Sequence, residues 1–153
     1  MAKTSSAPKG NDLSKALSRI LADTYALAVK THGAHWNVTG PAFFSLHEAF
    51  SVQYLALFEA ADDIAERLRA LGASAPSGIA EIAGASTLPA SPSSSDGVAL
   101  AGALAADHRS VAKACREGVA VAQAAGDEPS ADLLIGRAEA HEKTAWMLGA
   151  AAT

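Results

Sequence analysis

Apolar residues recur along this chain at steps of three and four, and nowhere sustain a step of two. Leu13, Leu17, Ile20, Leu21, Leu27 and Ala28 set the rhythm, which predicts an amphipathic helix to about Trp36. Asn11 or Asp12 can cap its start. The stretch from Asn37 to Pro41 breaks it, because Gly-Pro is strong turn punctuation. A second stripe follows in Phe43, Leu46, Phe50, Leu57, Ile64, Leu68 and Leu71. It predicts a helix from about Ala42 to Leu71, stopped by Gly72. This helix also carries a second apolar side. Phe44, Tyr54, Leu55 and Phe58 sit roughly 100–180° from the first stripe, at about 100° per residue. A helix with two apolar faces calls for a partner beyond its own bundle.

Residues 73 to 96 are rich in Ala, Ser, Pro and Gly. They read as a long connection with one short helix around Ile79 to Ala83. A third long helix starts after Ser95 or Asp96 and runs to about Ala124. Gly126 to Pro129 forms a turn, and a fourth long helix covers about Ser130 to Ala150. Two antiparallel helical hairpins need one long crossover, and residues 73 to 96 supply it. The expected fold is therefore all-α: a four-helix bundle whose crossover contains a short helix. Residues 1–10, rich in Ser, Lys, Pro and Gly, read as a flexible tail, and 11–153 as one domain.

Composition narrows the function. Half the residues are hydrophobic and 5% aromatic, which favours close-packed helices. A net charge of −4 argues against a basic nucleic-acid-binding body. A single cysteine, Cys115, excludes a disulfide framework and fits a reducing cytosol. The start, MAKTSSAPKGN, lacks the apolar core of a signal peptide. No run of 18 apolar residues is present, so a cytoplasmic protein without membrane contact is expected.

Candidate chemistry concentrates at the first helix end and along the second helix. His35, His47, Asp62 and Glu66 are the ligand types that iron or zinc uses. Their spacing forbids a simple site. On one continuous helix His47 and Asp62 lie about 22 Å apart, at roughly 1.5 Å per residue. Either the grouping is accidental or a second copy of the chain completes the site. Asp62 and Glu66 are like charges one turn apart, which costs a few tenths of a kcal/mol on a bare helix. A bound cation would remove that cost. The alternative pairs Glu66 with Arg69. His32 reads as surface or support beside the ligands. His108 and His141 have no carboxylates at matching spacing and read as structural. Trp36, beside His35, reads as interface packing or as an interceptor of oxidising equivalents. Paired Glu-x-x-His motifs, HExxH, a Gly-rich phosphate loop and a nucleophile elbow are all missing from the sequence.

HWNVTGP at 35–41, F-x-x-L-H at 43–47, D-x-x-x-E-R at 62–67, Leu71-Gly72 and HEKTAWML at 141–148 resemble the Dps mini-ferritins, the DNA-binding proteins from starved cells. The resemblance covers about residues 12 to 150. It implies a ferritin-like subunit, and twelve subunits in a hollow shell. It further implies that iron(II) is oxidised at two-fold interfaces, preferentially by hydrogen peroxide, and stored as ferric mineral. Carried onto this chain, His35 and His47 come from one subunit, and Asp62 and Glu66 from its two-fold mate. These four are the catalytic and metal-binding set, with zinc as a competitor for iron. One position departs. The family usually has Asp or Glu one turn after the second histidine, where this chain has Ser51. That leaves the second iron position without its carboxylate.

The same resemblance lets acids near Asp127, Glu128 and Asp132 line iron-entry pores at three-fold axes. Residue chemistry alone reads them as helix capping. Lys3 and Lys9 in the tail, repeated twelve times, could add up to DNA contact. The competing function is thus a DNA-compacting nucleoid protein with a weakened iron site.

Overall fold

The computed structural model describes residues 8–153. Five helices follow one another: α1 Pro8–Asn37, α2 Phe43–Ala70, α3 Ile79–Ala85, α4 Gly97–Ala125 and α5 Glu128–Ala151. The four long ones form two antiparallel hairpins, α1 with α2 and α4 with α5, joined mainly along α1 and α4. The all-α bundle with a helix-bearing crossover is as the patterning predicts. No described helix is long and apolar enough to cross a membrane.

Boundaries differ in three places, one of them the start of α5, which at Glu128 falls inside the expected Gly126–Pro129 turn with Pro129 in its first turn. Helix α1 begins at Pro8, so the last three residues of the expected tail are helical. Proline is well suited to a first helical turn, where its missing N–H is no loss. The remainder of that tail, with Lys3, lies outside the described residues. Helix α3 extends two residues past Ala83 and has no buried residue, packing only against α1.

Phe50, Leu17, Ile20, Leu27, Ile64, Leu68, Leu104 and Leu134 are fully enclosed in the core. Small residues set how closely the helices approach. A Cβ on Gly118 of α4 would stand 2.8 Å from Leu134 Cδ1 of α5 and 3.0 Å from Ile20 Cδ1 of α1, so a side chain there would require those two side-chain ends to shift. The predicted second face of α2 is real but uneven. Phe44 is 85% exposed and Leu55 54%, whereas Tyr54 and Phe58 are half-buried and Phe58 meets Tyr25 edge-on.

The crossover is fastened by buried charge. Asp23 on α1 accepts hydrogen bonds from the Thr87 amide (2.6 Å), the Thr87 hydroxyl (2.9 Å) and the Ser86 hydroxyl (2.9 Å). Lys30, two turns further on, donates to the Pro89 carbonyl and forms an ion pair with the buried Asp107 of α4 at 2.5 Å. Burial pushes the Asp107 carboxyl above its ordinary pKa, and Lys30 only partly pulls it back. At the far end Thr39 and residues 95–97 exchange backbone bonds. Asp96 caps α4 through the Ala99 amide at 2.9 Å, one of the two caps the sequence offered.

Candidate metal centre

The turn after α1 brings His35, in the last turn of α1, beside His47, in the second turn of α2. Their rings stack with centroids 3.8 Å apart and planes 18° from parallel. Each ring also bonds to the other residue's backbone: His35 Nδ1 donates to the His47 carbonyl and His47 Nδ1 to the His35 carbonyl, both at 2.8 Å. The reason is local. The last carbonyls of a helix have no intrahelical partner. The amide of Thr39, which would reach back to His35, bonds instead to the Ser95 carbonyl. His47 fills that vacancy.

Because a carbonyl can only accept, both Nδ1 atoms carry the proton. In the neutral rings both Nε2 atoms therefore present lone pairs. Fixing Nδ1–H on a backbone carbonyl is the usual way a protein orients an imidazole for a metal. Neither Nε2 has a protein partner among the described residues. Phe43 stacks on the outer side of His47 at 5.2 Å, and Tyr54 meets His35 edge-on at 5.5 Å. His32 stands one turn before His35 with its ring against Tyr54 (4.0 Å) and Trp36 (4.1 Å). It belongs to an aromatic wall beside the pair. Trp36 is 66% exposed, and among the described residues its ring meets only that of His32.

Asp62 and Glu66 stand elsewhere. They share the exposed side of α2, 15 and 19 residues beyond His47, about 22 and 28 Å along the axis. No cation pairs with either among the described residues. The alternative pairing of Glu66 with Arg69 is not formed, since Arg69 donates to the Ala73 carbonyl. Within one chain no three metal-ligating side chains converge among the described residues. The structure thus holds two separate halves: an imidazole pair with bare lone pairs, and a carboxylate pair with bare charge. Ser51 is half-buried, one turn from His47.

One further group lies next to Glu66 in sequence. Arg67, the last residue of the D-x-x-x-E-R motif, donates to Asp127 Oδ1 (2.7 Å) and Ser130 Oγ (2.8 Å). Asp127 also accepts from the Ser130 hydroxyl at 2.7 Å and caps α5. Burial opposes its ionisation, but bonds from Arg67 and Ser130 outweigh this and hold its pKa below the ordinary value. Asp127 is therefore a cap and a cross-link between α2 and α5, the structural role that residue chemistry favoured. Glu128 and Asp132 remain exposed.

A ferritin-like domain model matches residues 14–153. The chain is 34% identical over 134 residues to DNA protection during starvation protein 2 of Bacillus anthracis, covering 88% of this chain and 92% of that protein. The crystal structure of a Dps protein from Bacillus brevis superposes with a TM-score of 0.91 at 30% identity, covering 99% of this chain and all of the other. This chain belongs to the Dps group of the ferritin-like family. The Dps protein of Vibrio cholerae, described as a member of a broad superfamily of ferritin-like diiron-carboxylate proteins, superposes with a TM-score of 0.90 at 28% identity, covering 95% of this chain and 91% of that one.

In this Dps chain, sequence reading missed one polar cluster. His108 of α4 and His141 of α5 are both buried, with Nδ1 atoms 2.9 Å apart. Arg137 donates to His141 Nε2 at 3.3 Å. Burial, helped by Arg137, lowers the His108 pKa to about 4; burial, then His108 and Arg137, lowers that of His141 to about 2. No ligand spacing announces this pair, because its members lie on separate helices and bond to each other. Cys115 is buried nearby on α4, its thiol pushed up to about 11 by burial, which makes it a poor nucleophile.

Proposed function

We propose that the protein oxidises iron(II) and stores the ferric product inside a hollow dodecamer. Its iron sites are built from His35 and His47 of one copy and Asp62 and Glu66 of another. The observation that carries this is the reciprocal Nδ1–carbonyl bonding of His35 and His47. It orients two imidazoles with free Nε2 lone pairs, and the described residues of the same chain supply no third ligand to them. The matching lack is on α2, where two like charges share one helix turn with no cation paired to them among the described residues. Each half supplies what the other misses, and a two-fold axis, which makes an isologous contact, pairs them twice. The exposed Trp36, Phe44, Val52 and Leu55 give such an interface its apolar content.

Mixed nitrogen and oxygen ligands suit iron(II), and zinc competes for the same set. Neutral imidazoles bind the entering ion, and the carboxylates offset the added positive charge of iron(III). With hydrogen peroxide as the preferred oxidant, two iron(II) ions each give one electron. The peroxide O–O bond breaks, and two protons complete two waters. Removing both reagents of hydroxyl-radical chemistry would protect DNA, as the relatives' names describe for them. Direct DNA contact is the second reading. The tail lysines would carry it, so it should fade with salt and with deletion of residues 1–10.

Mixing two inactive variants tests the two-copy site. His35→Ala/His47→Ala protein and Asp62→Ala/Glu66→Ala protein should each fail to oxidise iron(II). Shells reassembled from both should regain part of the activity, because some interfaces join an intact imidazole half to an intact carboxylate half. If mixing restores nothing, the site is not shared between copies. Light scattering that finds a stable monomer would remove both the shared site and the cavity.

A further inference from the structure

We propose that the pocket between α2, α4 and α5 is a binding site for a small inorganic oxyanion, held by Arg137, His108 and Lys143. It has a volume of about 260 Å³, and its polar lining is Gln53, His108, Arg137, His141, Lys143 and Thr144. No carboxylate lines it.

The direction of its hydrogen bonds follows from the one member that cannot accept. Arginine only donates, so His141 Nε2 must accept from Arg137 and His141 must carry its proton on Nδ1. That proton goes to His108 Nδ1, and His108 is left with its proton on Nε2. His108 Nε2 and Arg137 Nε are both buried without a partner. Two unpaired N–H donors, one on a cation, therefore lie buried behind the lining of the pocket, which Lys143 also lines. Buried donors left unpaired are costly, and an anion accepts from both.

Gln53 Oε1 is the third buried atom without a partner among the residues that line the pocket. Turning its amide end for end places an NH₂ there at no steric cost, so the same residue serves an anion as a donor. A metal cation is disfavoured by Arg137 and by the absence of carboxylates. The acid whose charge acts on Arg137 is Asp63 of α2, and it does not line the pocket. The donors are out of solvent's reach in the free chain, so entry requires flexible lining side chains such as Met147 and Lys143 to swing aside.

Inorganic phosphate is the probe, titrated into iron-free assembled protein and followed by calorimetry and by the ¹⁵N signal of His108 Nε2. Saturable uptake near one phosphate per chain is expected, with that signal shifting in step. Arg137→Met should weaken binding about tenfold or more, the usual worth of a charge-assisted bond. Lys143→Met, at an exposed position outside the core, should weaken it severalfold and leave the fold intact. Absence of saturable uptake overturns the site. So does uptake that neither variant changes, because the phosphate then binds elsewhere. A crystal grown in phosphate that shows only water between His108 and Gln53 overturns it equally.

Discussion

The molecule contains two histidine pairs that use the same ring for opposite ends. At the turn of the first hairpin, His35 and His47 give their Nδ1 protons to backbone carbonyls and keep both Nε2 lone pairs free. Between α4 and α5, His108 and His141 bond Nδ1 to Nδ1, and Arg137 takes up the outer nitrogen of His141. The first pair is partly exposed, the second buried at 2% and 1% exposure. On the proposed reading, what separates a ligand from a structural histidine is the partner of its other nitrogen. A carbonyl fixes the tautomer and leaves the ring's basicity available. A second ring or a guanidinium consumes it.

Removing one ring from each pair should separate the two roles. His47→Ala should cut iron(II) oxidation by about a hundredfold or more, since the site loses a ligand and the orienting bond to His35. Its denaturation midpoint should move little, by about 1 kcal/mol for one partly exposed hydrogen bond. His141→Ala should do the reverse. It opens a cavity and strands His108 and Arg137 in the interior, at a cost of about 2–4 kcal/mol. Iron oxidation per folded site should persist. Stopped-flow absorbance and chemical denaturation on both variants make the comparison. Equal activity losses would merge the two roles.

Acid should distinguish the pairs next. His108 and His141 have folded pKa values of about 4 and about 2, below the ordinary 6.5. The unfolded chain thus binds more protons than the folded one once pH drops below about 6.5. Stability present above that pH is lost as pH falls towards 4, at up to about 1.4 kcal/mol per unit for each ring. Because the rings share a hydrogen bond, the first proton strains both. Denaturant midpoints measured between pH 7 and 4.5 should fall, and His141→Phe, with no proton to gain at that position, should flatten the slope. An unchanged slope in that variant would place the acid sensitivity elsewhere.

The fold was largely legible because its signals are local. Leu17, Ile20, Leu46, Phe50, Ile64 and Leu68 sit at helical spacing and are buried, and Gly126 ends α4 in the left-handed conformation (φ 72°) that glycine favours. The imidazole half was legible for the same reason: twelve residues spanning one turn. Charge across helices was not. Lys30 and Asp107 are 77 residues apart and form a buried ion pair. Asp23 binds residues 86 and 87 of the crossover, and His108 meets His141. Each looks like ordinary surface polarity in a sequence, because only tertiary packing brings its partner. The start of α1 was misplaced since Ser, Pro and Gly also compose tails, and Pro8 suits both.

Ser51 gives the smallest and finest test of the imidazole half. It stands one turn beyond His47, on the side where the Dps resemblance expects a carboxylate. A hydroxyl brings no charge and is a weak donor to iron, so a second iron beside the first lacks an anionic oxygen from this position. Ser51→Asp supplies one at i+4 from His47, a spacing that puts both side chains on the same strip of helix. Iron(II) bound per site under anaerobic conditions should rise, or the weaker of two affinities should tighten severalfold. The fold should change by no more than about 0.5 kcal/mol, as for most substitutions at incompletely buried positions. The same substitution made in His47→Ala protein should bind no additional iron, because the new carboxylate then lacks the oriented imidazole beside it. If iron per site stays constant in Ser51→Asp, another group or water already fills that position, and the serine is not what limits the second iron.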